Sequence, residues 1–332
     1  MSARRDLLQI AVFAVAVLLL AFGARSGVVL NLAMMALYGA LMAIAWNLLG
    51  GYGGQFSFGH ALFFGTGAYA QAIAQVQAGL NPWLALPLAA AAAAGVGLFV
   101  GALSFRYGLK GSYFALVTLA FAEVFRILAL SVPFTGAGVG LMVPLRQAAA
   151  NMQFADRRGY VVLALALVLA GLLLTTWLRH SRFGAWLQAL RDNEDAARAI
   201  GVDPFRVKLG AISLSGALMG AAGAFYVQVF QYIDPGIAYG PHTSVEALVA
   251  AIVGGLGTLW GPVVGAIVLH LLADLTRNLF GALPGINMIV YGAVLILIVM
   301  FAPRGLLGLG RSVRSLWAGA APAPAPREQP HG

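Results

Sequence analysis

Glu123 is the side chain of this sequence whose presence is hardest to explain by simple packing. It lies 11 residues into the apolar stretch 112–131, about 16 Å along a helix that could cross a bilayer. A carboxylate at that depth costs about 2.5 kcal/mol or more, and it usually faces a partner charge or a wet cavity. Arg126 follows at i+3, so two hypotheses stay open: a structural ion pair, or a path in which Glu123 binds an ammonium group or a water chain.

Two glycine-rich breaks, Gly50–Gly54 and Gly254–Gly257, interrupt other apolar runs. Irregular backbone at membrane depth survives only where protein buries it or a cavity wets it, and broken helices often shape transport sites. We expect the glycines themselves to form tight turns at the cytoplasmic surface, and the polar residues near them to line or gate a path. The candidates for such a path are Gln55, Ser57, His60, Thr118, Glu123, Ser244 and Glu246.

Glu246 has a simpler explanation than transport. It follows Thr243 and Ser244, whose hydroxyls can cap a short helix entering the membrane. A glutamate in the first turn compensates the helix dipole. His270, alone on an apolar helix, is expected to be a packing residue.

Enzymatic motifs are absent from the sequence. With no cysteine, the chain has no disulfides, thiolate metal sites or cysteine nucleophiles. It contains no Gly-Lys dipeptide and hence no P-loop, and no His-Glu-x-x-His or Gly-x-Ser-x-Gly motif. We therefore expect no catalytic residue, no metal and no cofactor, so energy for any transport must come from outside this chain.

The elements that carry these residues are apolar stretches of membrane-spanning length. Charged residues make up 9% of the chain, against about 25% in ordinary soluble domains. Since about 20 apolar residues span a bilayer, the sequence predicts an all-α polytopic membrane protein of about ten transmembrane helices, the short tenth segment included. The stretches are 7–24, 28–48, 58–77, 83–104, 112–131, 159–178, 207–229, 245–253, 259–277 and 285–302.

The net charge of +9 comes from basic residues whose positions along the chain indicate a membrane topology. Basic residues cluster in short loops beside the apolar stretches, as the positive-inside rule requires, so we expect contact with membrane lipid and not with nucleic acid. Both termini are then cytoplasmic. The domain prediction is one transmembrane domain over 1–317 and a disordered Pro/Ala-rich tail over 318–332.

A charged segment, Arg179–Lys208, lies in the middle of the chain and is expected to be cytoplasmic. Its first helix follows Ser181, an N-cap residue, and has one apolar face. That face suits either the membrane interface or burial against the bundle. The face consists of Phe183, Trp186, Leu187 and Leu190.

The second helix of the charged segment is predicted to be eight residues long and isolated. Asp192 or Asn193 caps it, Gly201 ends it, and Glu194 can pair with Arg198. A helix this short is marginal in water, so either its own bundle or a partner protein must pack on it. The narrow face offered for packing is Ala196, Ala197 and Ile200.

The stretch Asp195-Ala196-Ala197-x-x-x-Gly201 resembles the cytoplasmic loop by which permeases of ABC importers dock on their ATPases. More broadly, the chain resembles the branched-chain amino acid ABC transporter permease family. One departure is the sequence from Lys208 to Ile212, which replaces the Ile-x-Leu-Pro ending of the general importer loop. The matching stretches are 47–69, 112–123, 183–209, 253–266 and 302–309.

The resemblance implies a ten-helix bundle of the type II importer class in the bacterial inner membrane. It also implies a heterodimer with a second homologous permease, two cytoplasmic ATP-binding subunits and an extracytoplasmic substrate-binding protein. The ATPases would dock on the coupling loop 179–208. The docking residues by this resemblance are Asn193, Glu194, Asp195, Ala196, Ala197, Arg198, Ile200 and Gly201.

The substrate implied by the resemblance is a branched-chain or related amino acid. Urea, short amides and aromatic acids are alternatives for a permease of this kind. A less favoured alternative is a secondary carrier driven by an ion gradient, with Glu123 as the proton or sodium site.

Overall fold

The computed structural model describes residues 3–280, 286–301 and 305–308, and these are almost entirely helical. The predicted tail 318–332 lies outside the described residues. The helices are α1 (Ala3–Gly23), α2 (Gly27–Asn47), α3 (His60–Val76), α4 (Pro82–Arg106), α5 (Gly111–Ser131), α6 (Arg157–His180), α7 (Arg182–Asp192), α8 (Glu194–Ala199), α9 (Pro204–Phe230), α10 (Pro235–Tyr239), α11 (Pro241–Gly254), α12 (Gly261–Phe280) and α13 (Ile286–Phe301).

Irregular elements join these helices at a few places. A π-helical turn, Leu48–Tyr52, continues α2. Short 3-10 turns occupy Pro133–Thr135, Ala137–Val139 and Ala149–Asn151. Two strands, β1 (Leu141–Met142) and β2 (Tyr232–Ile233), form one antiparallel ladder in which Leu141 pairs with Ile233.

Six helical stretches in the described residues are long and apolar enough to cross a membrane. The prediction of a multi-pass helical membrane protein is therefore confirmed. Gly261–Thr276 is a shorter apolar stretch, and α11 has 14 residues, or about 21 Å at the helical rise. The six long stretches are Ala3–Gly23, Gly27–Tyr52, Pro82–Arg106, Gly111–Ser131, Arg157–His180 and Pro204–Phe230.

Small residues allow α4 and α9 to approach each other closely. A Cβ atom on Gly216 would lie 2.9 Å from the Ala93 carbonyl oxygen, and one on Gly97 would lie 3.0 Å from that of Ile212. Larger side chains here would push the backbones apart, and close packing is a main source of helix association in lipid. This contact fixes α9, the helix that leaves the charged segment.

One end of the bundle gathers the elements that the charge pattern predicted to be cytoplasmic. Asp6 of α1 is buried, and its carboxylate lies 3.0 Å from the Arg179 guanidinium at the end of α6. Lys110, in the turn between α4 and α5, lies 3.2 Å from the Glu194 carboxylate of α8. The N-terminal helix and the 107–110 turn therefore meet the charged segment at the same end.

The opposite end of the bundle gathers the other connections. The β1–β2 ladder joins the segment after α5 to the segment after α9. Gln77, just after α3, donates a hydrogen bond to the Phe134 carbonyl at 2.7 Å. The connections between helices therefore fall into two groups at opposite ends of the bundle, as is expected when successive helices cross a membrane in alternating directions.

Candidate functional site

The charged segment folds through the local signals that the sequence carries. Ser181, Asn193 and Asp203 each accept a hydrogen bond from a backbone amide in the first turn of the helix that follows, at 3.1, 3.0 and 3.0 Å. Gly201 has a φ of +90°, a left-handed conformation that favours glycine. Pro204 begins α9, where its missing N–H costs nothing.

The apolar face of α7 packs mainly on the chain itself. Leu187 and Leu190 are buried, whereas Trp186 is 46% exposed. For the two leucines, the hypothesis that this face is buried against the bundle is therefore confirmed. Trp186 remains on the outer side, where it can meet the membrane interface.

Helix α8 has six residues, Glu194–Ala199, so the predicted length of eight was wrong. Ala197 is only 3% exposed, and its carbonyl accepts a hydrogen bond from Val202 at 3.1 Å. Ala197 therefore packs inward. The prediction that it forms one outward face with Ala196 and Ile200 was wrong. The outward surface instead combines exposed Asp195, Ala196 and Ala199 with Ile200, which is 79% exposed.

Glu194 contacts three cations, here called the Glu194 cluster, and two of them, Lys208 and Lys110, anchor α8 to the rest of the bundle. Its carboxylate lies 2.7 Å from Lys208 Nζ, 3.2 Å from Lys110 Nζ and 3.2 Å from Arg198 Nη2, the last being the predicted i, i+4 pair. Burial alone would raise the pKa of Glu194, but the hydrogen bonds and charges of Lys208 and Lys110 outweigh it and lower the pKa. A cavity of about 470 Å³ opens beside the cluster.

Three of the predicted path residues lie in one buried polar group inside the bundle. Ser57, His60 and Ser244 are each no more than 1% exposed. Ser244 Oγ accepts a hydrogen bond from the Ala61 amide at 2.7 Å, and His60 Nε2 lies 2.9 Å from Ser215 Oγ. Sequence reasoning missed Ser215, because its partner is 155 positions away and no local pattern marks it.

Gln55 and Thr118 border this buried polar group. Gln55 is 8% exposed, and its Oε1 atom has no hydrogen-bond partner. Thr118 donates its hydroxyl hydrogen bond to the Ala115 carbonyl of its own helix, 2.8 Å away. Its backbone carbonyl packs against Gly59, so α5 closes over the segment that leads into α3.

Glu246 has a different role from the predicted one. Since α11 begins at Pro241, Glu246 lies in its second turn and does not compensate the first. Its carboxylate lies 3.5 Å from His270 Nε2 and 3.8 Å from His242 Nδ1. His270 is therefore more than a packing residue, because its ring pairs α12 with a carboxylate of α11.

Glu123 and Arg126 form a two-pronged ion pair. Arg126 donates through Nε at 2.8 Å and through Nη2 at 2.6 Å to the two carboxylate oxygens. The ion pair that was one of the two hypotheses from the sequence is thus present. Both side chains nevertheless remain open, with Glu123 48% and Arg126 32% exposed.

A helical bundle with six membrane-length apolar stretches in the described residues and a folded charged segment at one end defines a multi-pass helical membrane protein. The chain belongs to the family described as branched-chain amino acid transport system / permease component, whose model matches residues 28–299. The resemblance stated from the sequence is thereby confirmed, and the family is one of transport subunits.

Individual relatives agree with the family. The chain is 29% identical to the high-affinity branched-chain amino acid transport system permease protein LivM of Escherichia coli, over 93% of this chain and 77% of the relative. It is 28% identical to LivM of Salmonella typhimurium, over 88% and 72%. The fructose import permease protein FruF of Bifidobacterium longum is 26% identical over 71% and 67%. No solved structure matches the chain.

Proposed function

We propose that this chain is a permease subunit of an ABC importer, driven by partner ATPases that dock on the charged segment. The observation that carries the proposal is α8: a short helix at the surface, held by the Glu194 cluster and presenting exposed Ile200. A large apolar side chain on a rigidly anchored helix is what a protein partner can bury. The family supports the same function.

The proposed assembly follows the importer pattern. A second homologous permease pairs with this chain, two ATP-binding subunits bind on the cytoplasmic side, and an extracytoplasmic binding protein delivers the substrate. Ten crossings, counting the short helix α11, then place both termini in the cytoplasm of a bacterial inner-membrane protein of the type II class. Residues 1–317 form one permease domain around the coupling loop 179–208, and the Pro/Ala-rich tail 318–332 follows it.

The proposed substrates are branched-chain or related amino acids. The names of the LivM relatives favour this class. Another similar permease is named for fructose import, which supports placing the choice of ligand outside the shared permease bundle. We therefore assign the choice among leucine-like amino acids, urea, amides and aromatic acids to the binding protein and not to the bundle.

Transport by the complex isolated on a tagged copy of this chain tests the function. In proteoliposomes we expect uptake of radiolabelled leucine that requires ATP and the binding protein and survives ionophores. Uptake by this chain alone that ionophores abolish would instead identify an ion-coupled carrier. Binding of candidate ligands to the cognate binding protein would then fix the substrate class.

The Glu123–Arg126 pair is expected to face the second permease or the path between the two permeases. In the chain alone both charges are open, at about 18 Å along α5. Facing lipid at that depth would cost several kcal/mol, roughly 2.5–3.5 per charge. A polar path or a partner surface removes that cost.

Replacing Glu123 by glutamine should lower uptake about tenfold, equivalent to about 1.4 kcal/mol, while the complex still assembles. The reason is that the substrate's ammonium group or a water chain loses its carboxylate. Initial uptake rates in vesicles, normalised to the amount of assembled complex, measure the effect. Wild-type uptake by Glu123→Gln would contradict the proposed role.

The charge-swapped variant, with Glu123→Arg and Arg126→Glu together, is the control for simple pairing. It keeps an i, i+3 ion pair on the same face of α5. Normal uptake by the swap would mean that only the pair matters, which is a structural role. Loss of uptake in the swap, with assembly intact, would support a position-specific carboxylate.

A further inference from the structure

The two glycine breaks meet at one end of the bundle, and Asn47 joins them. Its side chain accepts a hydrogen bond from the Gly257 amide at 2.9 Å and donates one to the Thr258 carbonyl at 3.1 Å. Gly51 is close enough that an added Cβ atom would lie 2.6 Å from the Gly257 nitrogen. Neither break is therefore an independent surface turn.

Arg191 of α7 reaches into this junction from the charged segment. Its Nη1 atom donates a hydrogen bond to the Gly51 carbonyl at 2.8 Å. A Cβ atom on Gly257 would lie 3.0 Å from the same nitrogen, and one on Gly54 would lie 2.5 Å from Arg191 Cγ. The arginine stem thus runs along one break while its guanidinium touches both.

The junction is connected at both ends to parts of the proposed machinery. Arg191 is three positions before Glu194, the first residue of α8, and a single residue, Asn193, joins the two helices. On the other side, the Gly50–Gly54 break continues through Gln55 and Ser57 into the buried polar group. A displacement of α8 would therefore act first on Arg191, then on the two breaks.

We propose that Arg191 and Asn47 form a latch that couples the ATPase-docking helix to the cytoplasmic end of the path. In this proposal the latch holds the two breaks together, and movement of α8 withdraws Arg191 from the Gly51 carbonyl and lets the breaks separate. Arg191 is a positioning residue: it contacts neither substrate nor ATP. The inference rests on the proposed function.

The test compares ATP hydrolysis with transport in the isolated complex. For Arg191→Ala we expect ATPase subunits to remain bound and hydrolysis to continue, while the amount of substrate moved per ATP falls about tenfold. Arg191→Lys keeps the charge and stem but loses the planar fork, so its ratio should be intermediate. Arg106→Ala, which removes an exposed arginine at the end of α4 and outside the charged segment, is the control and should keep the wild-type ratio.

A second readout follows the breaks directly, and the absence of cysteine from the chain makes it clean. Gln55→Cys should react slowly with a membrane-impermeant maleimide applied from the cytoplasmic side, and faster when Arg191→Ala is added. Thr175→Cys, buried in α6, should stay unreactive in both backgrounds, which excludes general unfolding. If Arg191→Ala does not accumulate, Arg191→Lys carries both measurements.

Unchanged transport per ATP together with unchanged Gln55→Cys labelling would overturn the latch and leave the proposed function standing. If instead the wild-type complex showed no ATP-dependent uptake, the proposed function itself would fail. The latch is supported if Arg191→Ala lowers the amount of substrate moved per ATP and also speeds labelling of Gln55→Cys but not of Thr175→Cys.

Discussion

Replacing Ile200 by glutamate should detach the ATPases from this permease. The isoleucine is 79% exposed at the end of α8, and the helix beneath it is held by the Glu194 cluster. Burying such a side chain contributes about 2 kcal/mol, and a charge in its place must also be desolvated. We therefore expect the affinity to fall at least about 30-fold and ATP-dependent uptake to be lost with it.

Co-purification on a tagged permease measures this directly, as the ratio of ATPase to permease retained after detergent washing. Val139→Glu is the matched control: Val139 is 81% exposed but lies at the opposite end of the bundle. It should leave the ratio unchanged, as should the conservative Ile200→Leu. Full retention of ATPases and uptake by Ile200→Glu would refute docking on α8.

Ala197, which the sequence placed on the docking face, would be a poor probe of docking. It is 3% exposed and packs inside the chain, so a large or charged substitution there would disturb α8 itself. Loss of ATPases from such a variant would not distinguish a lost contact from a damaged fold. Ile200, which is exposed and directly follows α8, can separate the two explanations.

What the sequence could predict in the charged segment was local. Ser181, Asn193, Gly201 and Asp203 act through residues within a few positions of themselves, so capping rules were sufficient. The orientation of α8 was not predictable in the same way. Whether Ala197 or Ile200 faces outward depends on which side of the helix meets the bundle, and a six-residue helix carries too little periodicity to decide it.

The junction of the two breaks lay beyond local reasoning. Arg191 and Gly51 are 140 positions apart, and Asn47 and Gly257 are 210 apart. One signal was nevertheless present: both breaks share a Gly-Gly-x-Gly core, and the charge pattern put both on the same side as Arg191. Loops on the same side of the membrane are expected to lie near one another, but this does not predict which side chain joins them.

Replacing Glu194 by glutamine should destabilise the permease by about 3 kcal/mol, at the low end for breaking a buried ion pair. Lys208, only 4% exposed, would keep its positive charge without the carboxylate 2.7 Å away. Thermal unfolding in detergent at pH 7 measures the change. Asp203→Asn is the matched control, because that pair is open, with 85% and 49% exposed side chains, and asparagine caps α9 equally well; it should cost less than about 1 kcal/mol.

The pH dependence of the Glu194→Gln effect separates the lost charge from the changed shape. Because Lys208 and Lys110 lower the pKa of Glu194 below its ordinary value of 4.5, the carboxylate stabilises the folded chain at every pH above that value. The contribution is lost as the pH falls through the lower, folded-state pKa. The difference in melting temperature between wild type and variant should therefore be full at pH 7 and shrink in acid. Two results would contradict this anchoring by charge: a difference in melting temperature that persists unchanged in acid, or a difference at pH 7 no larger than that of Asp203→Asn. Either result would mean that packing alone holds α8.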